Sequence, residues 1–327
     1  MGNQWWNSPF ARLVLRRAVE SSIALLLAAT VVFAGVRSIP GDPAVALSGE
    51  GRDPAVIEAV RERYGLNESM PVQFVRWARL TVTGDFGTSS RTREPVRETL
   101  GKRLPVTLQL AAWSMLIALA VGIPAGVISA VRRGRPADYL ANTASLAGLS
   151  IPNFWLGLLL ITFVAIPSDF FPASGYVAPS ESLTGHMRYM ALPAIVLGTG
   201  LSAIFMRQMR SSMIDSLTAD YVKLAHAKGL RATRVIVRHA MRNSLTTVVT
   251  VGGLELGALI AGSVVTETVF LVPGFGKLLI DAIATRDYAT IQAVALVSAS
   301  AYIVLNLAVD ILYFWLNPKI RTTGAGR

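Results

Sequence analysis

A helix that crosses a bilayer needs about 20 consecutive apolar residues, because hydrocarbon offers no partner to an unpaired backbone N–H or C=O. Six stretches of this 327-residue chain meet that requirement: 18–36, 106–131, 139–166, 187–205, 245–266 and 289–316. The fourth contains Pro193, Gly198 and Gly200, which membrane helices tolerate where neighbours cover the freed carbonyls. The chain therefore reads as an all-α polytopic membrane protein with six transmembrane helices. Only 16% of its residues are charged, against about 25% in a typical soluble domain. Arg12, Arg16 and Arg17 precede the first run as they would in a secretory signal. That run is longer than a signal core of about 7–15 residues, so it reads as an uncleaved helix.

The net charge of +11 raises nucleic acid, anionic lipid and cytoplasmic loops as explanations. Position decides between them. Segments 1–17, 132–138, 206–244 and 315–327 hold 17 Lys and Arg, whereas 167–188 and 267–288 hold 3. The positive-inside rule makes the first set cytoplasmic, with both termini inside, so the charge is mostly a topology signal and nucleic acid drops to a minor alternative. The long segment 37–105, with 11 basic and 9 acidic residues, falls outside and reads as a helical extracytoplasmic segment. Asp53-Pro54 starts a helix over 54–64 that Gly65 ends, a second starts at Ser69-Met70-Pro71 and stops before Gly84, and 92–103 forms a third leading into the membrane through Leu104-Pro105. Trp77 fits either a headgroup-level position or a packed mini-core. The expected divisions are 1–36 (N-terminus and first helix), 37–105, a five-helix core over 106–316, and a cytoplasmic tail over 317–327.

The loop 207–244 is far longer than a connector needs to be. It carries eight Lys and Arg against Asp215 and Asp220, and Arg231, Arg234, Arg238 and Arg242 recur at helical spacing. Such a face suits anionic lipid, a docking partner or plain solvation. The residues go further. Asp220-Tyr221-Val222-Lys223-Leu224-Ala225-His226-Ala227-Lys228-Gly229-Leu230, then Arg238-His239-Ala240-Met241-Arg242-Asn243-Ser244, resembles the coupling loop of ABC importer permeases of the oligopeptide, dipeptide and nickel branch. The general family's Glu-Ala-Ala is reduced here to Ala225, and Met241-Arg242 stands where Leu-Pro is usual; both departures resemble the peptide branch. Ile39-Pro40-Gly41-Asp42-Pro43, Gly84-Asp85-Phe86-Gly87-Thr88-Ser89, Ser150-Ile151-Pro152-Asn153-Phe154-Trp155, Glu267-Thr268-Val269-Phe270 and Asn317-Pro318-Lys319-Ile320-Arg321 extend the likeness over nearly the whole chain.

The resemblance implies a type I ABC importer permease fold in a bacterial cytoplasmic membrane. It also implies a second homologous permease completing a heterodimer, two cytoplasmic ABC ATPase subunits or domains, an extracytoplasmic substrate-binding protein, and an oligopeptide or dipeptide cargo. Asp220, Tyr221, Ala225, Ala227, Lys228, Gly229, Leu230, Arg238, His239, Arg242 and Asn243 become the ATPase-coupling residues. A nickel chelate, a haem-like ligand or a sugar is the alternative cargo, and a lipid-binding channel or scaffold the alternative class.

The chain has no cysteine, no phosphate-loop motif and no catalytic order of residues, so it reads as a non-enzyme without a cofactor, with ATP and Mg held by the partner ATPase. Ionisable or amide groups at membrane depth remain. Glu255, between Gly253 and Gly257, and Asn153 are candidates for the translocation path; the competing role for each is packing or interhelical glue. Gln109, Asn142 and Asn306 are further interhelical candidates, while Glu20, Glu267 and Asp310 near helix ends read as structural. Gly122-x-x-x-Gly126 and Gly253-x-x-x-Gly257 allow close helix crossings, and Met206, Met209 and Met213 read as packing.

Overall fold

The computed structural model describes residues 9–38, 44–45 and 53–316, so the motifs at 39–43 and 317–321 and the tail at 317–327 lie outside the described residues. In chain order the helices are α1 (Pro9–Arg37), α2 (Pro54–Tyr64), α3 (Met70–Val82), α4 (Val96–Val131), α5 (Pro136–Ser150), α6 (Asn153–Leu160), α7 (Leu183–Thr218), α8 (Asp220–Ala227), α9 (Met241–Gly262), α10 (Val264–Val269), α11 (Phe275–Ala284) and α12 (Tyr288–Leu316). Among the described residues, five helical stretches are long and apolar enough to cross a membrane, and a sixth arises if the bent pair α5–α6 counts as one span. The chain divides into two compact units, residues 1–107 with 273–307, and 108–272 with 308–327.

In the first unit, α2 has the ends its sequence specifies. The Asp53 carboxylate accepts the Ala55 N–H, Pro54 sits in the first turn, and Gly65 closes the helix at φ +62°. Trp77 takes the packed alternative: its ring lies 5.6 Å from Phe33 and 6.0 Å from Phe74. The third short helix expected over 92–103 does not form separately. Thr88 and Pro95 face each other in a tight return, Val96 N–H reaches Gly87 O at 3.0 Å, and α4 then runs unbroken for 36 residues. Pro105 lies inside this helix without ending it. Val96, Leu100, Phe275, Ala293 and Val294 form the core. Asp287 ties the Gly84 to Ser89 stretch to the start of α12, accepting Ser89 Oγ at 2.5 Å and Thr290 Oγ1 at 2.7 Å.

The second unit is built on α7. Gly122 and Gly126 of α4 lie so close to it that a Cβ would sit 2.6 Å from the carbonyls of Ser202 and Met206 respectively. The glycine pair therefore serves a crossing within this chain. Met206 and Met209 lie in this seam, and Met213 further along α7 is buried as well.

The expected third span, 139–166, is not one straight helix: α5 and α6 meet at 99°. Pro152 explains the bend, since it drives Ile151 to ψ 121° and out of the helical region. A π-helical stretch, Ile161–Ala165, then extends α6. The fourth span, expected over 187–205, is longer, its helix running from Leu183 through a buried Pro193 to Thr218. The fifth, expected over 245–266, ends at Gly262, where Ser263 starts a short second helix.

Candidate functional site

The segment after α7 forms a small knob. α7 ends at Thr218, one extended residue, Ala219 (ψ 148°), redirects the chain, and α8 begins at Asp220. Val222, Ala225 and Val235 bury themselves together with Leu230 beside them. Between α8 and the next helix the chain must reverse, and Gly229 does this at φ +75° with open space around its Cα. That left-handed conformation is costly for any residue with a Cβ. The Gly229 N–H bonds His226 O at 2.9 Å and Leu230 N–H bonds Ala225 O at 3.3 Å, closing the helix end.

The structure separates the predicted coupling residues into two sets. Asp220, Tyr221, Ala227, Lys228, Gly229, Arg238, Arg242 and Asn243 are exposed, as are Leu224 and His226. Ala225 is buried, and Leu230 and His239 are half-buried, so Ala225 shapes the knob from within. The basic stretch is not a separate amphipathic helix. Arg231 caps a turn, Ala232–Arg234, that passes through π-helical Val235–Ala240 directly into α9. No proline or glycine between 232 and 251 ends the rod, so one helix joins the knob to the membrane. Behind the knob, Ser216 and Ser244 hydroxyls meet at 3.1 Å and the Asn243 amide donates to Ser216 Oγ at 3.3 Å, tying α7 to α9.

The two path candidates come together. Glu255 and Asn153 line one cavity of about 220 Å³ whose other walls are Gly148, Ile151, Gly200 and Leu201 among mostly small or apolar residues. Among the described residues no cation pairs with Glu255. Three other flagged groups have partners: Glu20 pairs with Arg16 at 2.8 Å, Glu267 is buried and accepts Ser263 Oγ at 2.9 Å, and Gln109 accepts the Tyr176 hydroxyl at 2.9 Å. Burial pushes the Tyr176 phenol above its ordinary pKa. The side chain of Asp310 lies outside the described residues.

Sequence reasoning missed a buried ionic cluster. The Asp138 carboxylate accepts Arg210 Nε at 2.8 Å and Nη2 at 2.9 Å, Ser129 Oγ at 2.5 Å, Asn142 Nδ2 at 2.7 Å and Gly134 N–H at 3.0 Å. It joins α4, the turn after it, α5 and α7. Asp138 and Arg210 had counted only as loop charges; Asn142, flagged as glue, was the one available signal.

This architecture can be compared with known proteins. A family model described as binding-protein-dependent transport system inner membrane component matches residues 122–322, and its N-terminal companion matches 10–111. The chain belongs to this family. It is 41% identical to the dipeptide transport system permease protein DppB of Escherichia coli strain K12, over 95% of this chain and 98% of that protein. It is 39% identical to the glutathione transport system permease protein GsiC of Salmonella typhimurium, over 94% and 98%. Among solved structures, a chain of the inward-facing MetNI methionine ABC transporter aligns at TM-score 0.55 and 16% identity, over 67% of this chain and 96% of that one. The fold is thus that of an ABC importer permease. The chain is a multi-pass membrane subunit of a transporter and not itself an enzyme.

Proposed function

We propose that this chain is one half of the membrane pathway of a peptide importer in a bacterial inner membrane, with both termini and the 206–244 segment on the cytoplasmic side. A second permease would complete the pathway, an extracytoplasmic binding protein would deliver cargo, and two ATPase subunits, holding ATP and Mg, would supply the work. The single observation behind the cargo is the near-full-length identity to permeases named for dipeptide and glutathione transport, both of them short peptides.

The knob supplies the coupling element of this reading. Tyr221 and Leu224 are exposed apolar side chains three residues apart on α8, and the knob also exposes Lys228, Arg238 and Arg242, so it would offer an ATPase surface both apolar and charged groups. Force on α8 would reach the membrane by two stiff routes, α7 through Ala219 and α9 through the unbroken rod. Glu255 and Asn153 would face the path, where a carboxylate and an amide in a mostly apolar wall would attract a peptide ammonium without fixing side-chain identity.

The test is uptake of labelled dipeptide, tripeptide and glutathione in a strain lacking this chain, with and without its restoration. Restoration that recovers peptide uptake supports the reading. Recovery confined to a nickel chelate, a haem-like ligand or a sugar would replace the cargo.

A further inference from the structure

A second cavity, of about 440 Å³, lies wholly within the first unit, where the last turn of α1 meets α3, the 85–90 loop and the first turn of α12. Its volume falls in the range of small-molecule sites. Its depth is set by the chain: the apolar stretch of α1 ends at Arg37 and that of α12 begins at Tyr288, and both residues line the cavity. The ends of such apolar stretches fall at the level of the lipid headgroups, where a tyrosine such as Tyr288 is suited to lie.

The wall carries unsatisfied charge of both signs. Arg37 is half-buried, stacks over the Phe33 ring at 5.5 Å, and has no carboxylate within ion-pair distance among the described residues. The other arginine in the wall, Arg76, is already neutralised by Glu68 at 2.6 Å. Asp85 accepts one backbone N–H, from Gly87, and pairs with no cation among the described residues. Gln73, 8% exposed, gives its amide protons to the Leu66 and Glu68 carbonyls and leaves Oε1 without a donor. The complement is a small zwitterion with an anionic oxygen cluster and a proton-rich cation. Below the cavity, α1 presents Val31, Leu27 and Ile23, each more than half exposed, as a surface for hydrocarbon.

We propose that this cavity seats the phosphoethanolamine headgroup of a membrane phospholipid, with phosphate against Arg37, ammonium against Asp85, and acyl chains along the exposed face of α1. A net-anionic headgroup would meet Asp85 unfavourably, and a choline headgroup has no N–H to give it. The lipid would fasten α1 to the 54–95 segment independently of the cargo assigned above.

The test is native mass spectrometry of the full transport complex after exchange with vesicles of equal phosphatidylethanolamine, phosphatidylglycerol and phosphatidylcholine. The wild-type complex is expected to retain phosphatidylethanolamine selectively. Arg37→Gln removes one charge-assisted hydrogen bond and is expected to lower that retention about tenfold, while Asp85→Asn is expected to abolish the preference over phosphatidylglycerol. Should Arg37→Gln fail to assemble, Asp85→Asn, an exposed position, decides alone. Equal retention of the three lipids, retention unchanged in the variants, or displacement of the lipid by alanyl-alanine in an Arg37-dependent way would each overturn the proposal, the last by assigning the cavity to cargo.

Discussion

Asp138→Asn replaces one oxygen of the buried carboxylate with an amide and strands Arg210 opposite a neutral group. In the wild type the carboxylate takes five hydrogen bonds from α4, α5, α7 and the connecting turn. Removing one partner of a buried pair costs about 3–5 kcal/mol. Because the Arg210 side chain keeps 26% exposure, water recovers part of its solvation, and the lower end, about 3 kcal/mol, is expected. At roughly 2–4 °C per kcal/mol, that is a fall of about 6–12 °C in the unfolding midpoint. The assay is thermal unfolding of the purified complex followed by loss of its monodisperse peak. Asp138→Leu with Arg210→Met leaves no stranded charge and should recover at least half of the loss. A single variant within about 2 °C of wild type, or a double variant no better than the single, would show that the cluster does not hold α7 to the α4–α5 turn as argued.

The other predictions follow from particular contacts. Gly126→Leu places a Cβ against the Met206 carbonyl and the Met209 Cβ at 2.6 and 2.7 Å; neither backbone can yield, so folded protein in the membrane should fall several-fold, read as detergent-soluble monodisperse yield. Gly229→Val puts a β-branched residue at φ +75° in open space, a strain of about 1–3 kcal/mol confined to the knob. Insertion and yield should survive while uptake falls at least tenfold, and normal uptake would remove Gly229 from the coupling element. Glu255→Gln should lower uptake of cationic more than of neutral peptides; equal uptake of both would make the residue structural.

The fold was legible wherever one physical signal dominated. Apolar length marked the five described helices long enough to cross a membrane and the bent pair α5–α6, and Asp53-Pro54 with Gly65 marked both ends of α2, because capping is local chemistry. Failures arose where tertiary context overrode a local rule. Pro105 suggested a boundary, yet the helix runs through it from Val96 to Val131; Pro152 sits in an uninterrupted apolar run, yet it bends the chain by 99°. The knob's glycine was readable from its position between two helical patterns, while the burial of Ala225 was not, since exposure on an eight-residue helix depends on Val235 ten residues later. Asp138 and Arg210 are 72 residues apart, and nothing in either neighbourhood announces the other.

The central claim is that the α8 knob bears on an ATPase. The chain has no native cysteine, so Leu224→Cys places a single thiol on the exposed face of α8. In membranes containing the full transporter, a short thiol-reactive, photoactivatable cross-linker at that position should join this chain to the ATPase subunit, with a yield that changes when ATP is bound. Cross-linking to lipid or to the second permease alone, with none to the ATPase in a complex that still imports, would contradict the account.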